Sequence, residues 1–353
     1  MILRYHLSSA NIPAYLFELV CLTHVCSPGM GTIGAIPCNV GVSWMHSSRL
    51  VVVAVVLAML CLGLQGYTWA EKRKPGSAQL KVAATIFPLY DLVRHVAGPG
   101  VEVVLLVPPG ASPHTFAAKP STIRNLVSSA AIFTIGHGLD DWAVRLAQEA
   151  GIGQTIVVDA HIPLQEWDQK GHAHSSTQGQ VEQHGAVDPH YWLTIPNAVR
   201  MVQSIAETLE RLDAGEKGYM QRAAAYQKQL YALDRELRQI LAALPRRDLA
   251  VFHPAFSYFA NAYGLHIVAT FEPSPGQEPT PRHVELFLRQ LEAHKLRVLF
   301  VEPQLPQGPL SSVARDLRMT LTELDPLGGG RGRESYIAMM RFNAVQIATA
   351  LRE

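Results

Sequence analysis

Beyond Cys61 the chain has no cysteine: Cys21, Cys26, Cys38 and Cys61 are all four of them, in 353 residues. The body of the protein therefore forms no disulfide and no thiolate metal site, which suits an oxidising compartment without proving one. There is no excess of one charge, the formal net charge being +1. No Lys/Arg block and no basic patch with interleaved aromatics occurs, so nucleic acid is not an expected partner. Absent too are a Gly-x-Ser-x-Gly elbow, a His-Glu-x-x-His helix and a P-loop, and with them the common signatures of hydrolases, metalloproteases and NTPases. Gly328-Gly329-Gly330-Arg331-Gly332 is glycine-rich but does not join a clear strand to a helix, and it reads as a mobile loop.

Long hydrophobic runs are missing as well. The longest, Leu50 to Leu64 after Arg49, is short for a membrane span and about right for the core of a secretory signal. Thr68-Trp69-Ala70 then offers a small-x-small cleavage site before Glu71-Lys72-Arg73-Lys74. Residues 45–70 are expected to be a signal peptide, with 1–44 an upstream extension from a misplaced start and 71–79 a flexible lead-in. Ala58-Met59-Leu60-Cys61 is a poor site for lipid attachment.

What is present is alternation. Short apolar, β-branched runs (Lys81–Ile86, Val101–Val107, Ala131–Ile135, Thr155–Val158) are separated by helical spacings at Tyr90–Val96, Ser121–Ser129 and Trp142–Ala150. The second half repeats the style, with strands at Leu249–Phe252, Ile267–Phe271, Val298–Glu302 and Leu321–Leu324. Its helices fall at Phe256–Tyr263, Arg282–His294, Leu310–Arg318 and Glu334–Leu351. Strands alternating with helices of this length imply βαβ units and mostly parallel sheets. Between the halves, Tyr219, Ala223, Tyr226, Leu230, Leu233, Leu237 and Ile240 step by four and three, one apolar stripe of a long helix. The expected fold is α/β, two small lobes joined by one long linker helix: an N-terminal lobe over 80–214, the linker over 215–244 and a C-terminal lobe over 245–353. A polar loop at 166–187, holding His172, His174 and His184, interrupts the first lobe.

Four segments carry a metal-competent side chain at a strand end or loop: Pro113-His114-Thr115-Phe116, Asp188-Pro189-His190-Tyr191-Trp192-Leu193, Phe252-His253-Pro254-Ala255-Phe256 and Leu324-Asp325-Pro326-Leu327-Gly328. In open α/β sheets ligands collect outside the carboxyl ends of the strands. Three imidazoles and a carboxylate gathered there would make a closed tetrahedral zinc site between the lobes. The chain has 15 histidines, and a loop histidine is more often solvated than ligating. On the residues alone, a metal site and a coincidence of loop histidines both stay open. His137, in Gly136-His137-Gly138, is a candidate neighbour of the cleft. Glu272, Glu278 and Glu302 lie in strand-end loops where a general base would sit, yet four protein ligands leave no open metal position for hydrolysis.

From about Lys81 to its end the chain resembles the metal-binding solute-binding proteins of bacterial ABC transporters, and looks most like their zinc-uptake branch. The resemblance rests on Gly110-Ala111-Ser112-Pro113-His114-Thr115-Phe116, on the His190, His253 and Asp325 segments above, and on Gly276-Gln277-Glu278-Pro279-Thr280-Pro281. It implies a non-enzymatic protein with His114, His190, His253 and Asp325 as ligands to a transported Zn2+. It further implies a periplasmic location, an ABC permease as partner, and a monomer. In this family a histidine at the third ligand position goes with zinc and a glutamate with manganese, so His253 favours zinc. Imidazole nitrogen suits zinc on physical grounds too, whereas manganese prefers oxygen. The alternatives are a manganese or iron carrier of the same family, or a zinc-dependent surface adhesin on the same fold.

Overall fold

The computed structural model describes residues 79–166, 187–215, 218–273, 276–305 and 308–352. Every described residue lies in one compact unit, Gly76–Glu353. The expected extension 1–44, signal peptide 45–70, nearly all of the lead-in 71–79, and His172, His174 and His184 fall outside the described residues. No helix among those described is long and apolar enough to cross a membrane.

Two four-stranded parallel sheets organise the chain. β1 (Lys81–Ala84), β2 (Glu102–Leu105), β3 (Ala131–Thr134) and β4 (Thr155–Val157) lie in the order β2-β1-β3-β4. β5 (Asp248–Val251), β6 (His266–Thr270), β7 (Val298–Val301) and β8 (Thr320–Glu323) repeat the pattern as β6-β5-β7-β8. Every strand but β7 ends one or two residues before the apolar pattern does. Ile86, Val107, Ile135, Val158, Phe252 and Leu324 stay buried past the last ladder position, where the backbone turns off into loops. Those loops build the site.

The helices are α1 (Phe87–Ala97), α2 (Pro120–Leu126), α3 (Trp142–Glu149), α4 (Ile195–Leu212), α5 (Tyr219–Ala242), α6 (Ser257–Tyr263), α7 (Pro281–Ala293), α8 (Gly308–Asp316) and α9 (Tyr336–Ala350). In α1, Leu89, Leu92, Val93 and Val96 are buried at helical spacing, and Gly98 closes the helix at φ +69°. Thr194 caps α4 by accepting a hydrogen bond from the Asn197 amide, and Ser335 caps α9 by accepting one from Ala338.

α5 buries the stripe Tyr219, Ala223, Tyr226, Leu230, Leu233 and Leu237, then Leu241; Ile240, expected to complete the stripe, is half-buried. The pattern admits either residue, since both lie three or four positions from Leu237. The linker helix is itself packed on several sides. It packs against α1, α4 and the C-terminal α9, and one continuous core runs from the first sheet through these helices to β5 and α6. α2 and α3 cover the far face of the first sheet and α7 covers that of the second, each over a smaller apolar cluster. Both faces of each sheet are thus covered, as parallel sheets require.

The glycine-rich segment after β8 is a packed turn rather than a mobile loop. Gly329, at φ +80°, comes so close to Pro109 and Phe87 that a Cβ there would lie 2.9 Å from Pro109 Cγ. Only glycine tolerates both the left-handed backbone and that contact.

Candidate metal centre

Each histidine of interest sits in or caps a three-residue 3-10 turn. His114 lies within Pro113–Thr115 after β2, His190 precedes Tyr191–Leu193, and His253 precedes Pro254–Phe256 two residues after β5. Proline begins two of these turns and fixes φ. Residues 76 and 139 positions apart in the chain thereby meet: one nitrogen from each of His114, His190 and His253 lies within 4.8 Å of the others. The ring centroids are 4.9 to 5.5 Å apart. His114 Nε2 and His190 Nε2 are 3.4 Å apart. A tetrahedral ion ~2.0–2.1 Å from each nitrogen would set that separation at about 3.4 Å.

Carboxylates orient two of the rings. His190 Nδ1 lies 2.8 Å from Asp188 Oδ1, which also accepts the His190 backbone N–H at 2.9 Å. His253 Nδ1 lies 3.0 Å from Glu302 Oε1. With Nδ1–H donated to a carboxylate, Nε2 keeps its lone pair and points inward, the arrangement that metal-ligating histidines adopt. The His253 Nε2 is buried with no hydrogen-bond partner. A buried acceptor of this kind is costly unless a cation or a donor meets it. The rings line a cavity with about 10 Å³ of room for the centre of a water-sized sphere, enough for one ion or one water.

Electrostatics favour neutral, ligand-competent imidazole at His190: burial, then the charge of His253, hold its pKa well below 6.5. Burial pushes the Asp188 carboxyl up to about 7, opposed by the His190 backbone N–H, His253 and Ser257. Burial also raises Glu272, against the N–H of Gly276.

Asp325 is not in the histidine group. It follows β8 by two residues, after Leu324, but its carboxylate is engaged elsewhere. Oδ1 accepts from Gln304 Nε2 at 2.6 Å, Gly328 N at 2.8 Å and Leu327 N at 3.0 Å, and Oδ2 lies 3.2 Å from Arg333 Nε. Asn343 on α9 grips its backbone through both N–H and C=O, each at 2.8 Å. His137 also stands apart, with Nε2 3.0 Å from Asp159 Oδ2. Glu278 is exposed. Glu302 serves His253 as an orienting partner, and Glu272 accepts from the Gly276 amide.

Sequence reasoning missed the orienting roles of Asp188 and Glu302. A signal existed for Glu302: it comes just after β7 as His253 comes just after β5, and those strands are adjacent, so the two side chains leave the sheet side by side. Asp188→Asn is expected to lower metal affinity about 10–100-fold without unfolding the protein, because the ring loses its anchor and not its nitrogen. Equilibrium titration beside a thermal melt checks this; unchanged affinity would remove Asp188 from the site.

The chain matches the family described as zinc-uptake complex component A, periplasmic (ZnuA), over residues 82–350. It is 28% identical over 316 residues to the manganese ABC transporter substrate-binding lipoprotein PsaA of Streptococcus pneumoniae, covering 85% of this chain and 99% of that one. A crystal structure of ZnuA superposes with a TM-score of 0.66 at 28% identity, over 78% of this chain and 100% of the other. The solute-binding protein FpvC of Pseudomonas aeruginosa, in complex with Mn2+, gives 0.66 at 29%, over 78% and 99%. Two parallel sheets, long connecting helices and a histidine triad between them thus have a family: the chain belongs to the ZnuA-type metal-binding solute-binding proteins, non-enzymatic partners of ABC permeases that work outside the cytoplasm.

Proposed function

We propose that this protein captures Zn2+ in the periplasm, as a monomer, and hands it to its permease. The ligands are His114, His190 and His253, with the Asp325 carboxylate as the fourth for an ion that draws it away from Gln304. The segment 45–70 directs export. One observation carries the reading: three imidazole nitrogens within 4.8 Å of one another around a cavity the size of one ion. Nitrogen-rich, low-coordinate sites suit zinc, whereas manganese takes more oxygen. A second reading, a manganese carrier, draws support from PsaA and from the Mn2+ complex of FpvC. Elemental analysis after equilibration with buffered, competing Zn2+ and Mn2+ separates them. Zinc is expected, and preferential retention of manganese would overturn the choice.

Binding is expected to weaken as pH falls. Burial holds a proton on Asp188 in the folded, metal-free protein below about 7, so the protonated, metal-free form gains as pH drops below that value. A cation on His190 Nε2 favours the ionised carboxylate behind the ring, so loading expels the proton. Calorimetry at pH 6.5 in buffers of different ionisation enthalpy should register net proton release. Affinity independent of pH between 5 and 8 would contradict it.

A further inference from the structure

Gln304 stands between the histidines and Asp325. It follows β7 by three residues and lines the same cavity as His114, His190 and His253, which Asp325 does not line. Its Nε2 donates to Asp325 Oδ1 at 2.6 Å, and its Oε1 is buried with no hydrogen-bond partner. The amide cannot be turned round, because its oxygen would then face the carboxylate. Two unpartnered acceptors, Gln304 Oε1 and His253 Nε2, consequently belong to one small pocket. Neither can satisfy the other; a cation can satisfy both.

Asp325 has little freedom to answer. Asn343 pins its backbone on both sides, so the carboxylate reaches the ion only by turning about its own side-chain bonds. That turn breaks the bond from Gln304, the two from Leu327 and Gly328, and the pairing with Arg333. Three of these four partners follow Asp325 in its own turn, within eight residues; Gln304 alone reaches it from another strand end, and with a side chain that lines the cavity.

We propose that Gln304 is a selectivity-determining residue: its amide latches the Asp325 carboxylate away from the ion and offers a neutral oxygen in its place. The inference rests on the histidine reading above and deepens it. An ion satisfied by three imidazoles and one neutral oxygen binds with the latch closed. An ion that needs a larger, oxygen-rich ligand set must open it first to add the carboxylate. Four-coordinate zinc is of the first kind and manganese, which takes octahedral oxygen sites, of the second. The latch thus penalises manganese without a direct clash.

The test is the ratio of the Mn2+ to the Zn2+ dissociation constant, each measured by competition with a chelator of known affinity. Gln304→Leu should lower that ratio about tenfold or more, the size of effect that partners behind the ligands commonly have. Adding Asp325→Asn to Gln304→Leu should restore the parent ratio, since the freed carboxylate is then gone. A ratio unchanged within twofold in Gln304→Leu would overturn the proposal, as would a change that persists in the double variant. Should Gln304→Leu fail to fold by circular dichroism, Gln304→Met keeps the length and answers the same question. The His253→Ala variant tells the two readings apart. If it keeps zinc, the metal site itself is wrong. If it loses zinc while the Gln304 ratio stays put, only the latch is.

Discussion

His253→Ala should lower zinc affinity by a factor on the order of 10² or more, beyond the 10–100-fold typical of residues that merely support a ligand. His253 supplies one of only three nitrogens in the cluster, and its Nε2 is the buried atom with no partner of its own. Alanine leaves a water-filled position where the strongest available donor stood. A second effect should appear in the metal-free protein. Glu302 is 5% exposed and is held by the His253 ring, so alanine strands a buried carboxylate. An uncompensated buried charge destabilises by about 3–5 kcal/mol unless it takes up a proton instead. The melt of the metal-free variant should therefore fall. Glu302→Gln added to His253→Ala should recover it. Zinc titration beside the two melts decides: parent-like affinity removes His253 from the ligand set.

Trp192→Ala should be among the most destabilising single changes in the protein, at about 3–5 kcal/mol. Trp192 is fully buried beside His190, with ring centroids 5.3 Å apart, and it lines the metal cavity. Its Nε1 donates to the Pro326 carbonyl at 2.8 Å, and its own carbonyl accepts from the Tyr336 hydroxyl at 2.6 Å. The side chain thus ties the turn after His190, in the first half, to the turn after Asp325, in the second. Truncation opens a large cavity and leaves the Pro326 oxygen without its donor. Trp192→Phe separates the two costs, since it keeps most of the volume and loses only the N–H. Denaturant unfolding should rank the parent above Trp192→Phe and that above Trp192→Ala. Equal stability of parent and Trp192→Ala would mean the two halves are not joined through this residue.

Most secondary structure was legible before folding because it is written in local spacing. The alternation of short apolar runs with helical stripes placed all eight strands, and the four-and-three stepping from Tyr219 to Leu237 placed the long helix. The misreadings are equally physical. Periodicity reports which side chains are buried, and burial continues past the hydrogen-bonded ladder, so strands were read too long. It reports a buried face, not what covers it; for α5 the covering helices are α1, α4 and α9. Glycine-rich composition reports permitted backbone angles; at Gly329 those angles serve a close approach to Pro109 and Phe87.

The site divides along the same line. The kind of donor, and its place at strand ends beside proline, can be read along the chain, because both are properties of short segments. His114, His190 and His253 carry their chemistry wherever they lie. Whether those nitrogens come within 4.8 Å of one another depends on two sheets with the same strand order turning their carboxyl ends to a common space. Which carboxylate stands behind which ring follows from strand adjacency, as with Glu302 and His253 on neighbouring β7 and β5. That Asp325 is bound to Gln304 rather than set among the imidazoles depends on contacts 18 and 21 residues distant in the chain. Local sequence encodes side-chain chemistry and periodicity; separation in space is the sum of many weak packing choices, and it is defined only once the whole core has closed.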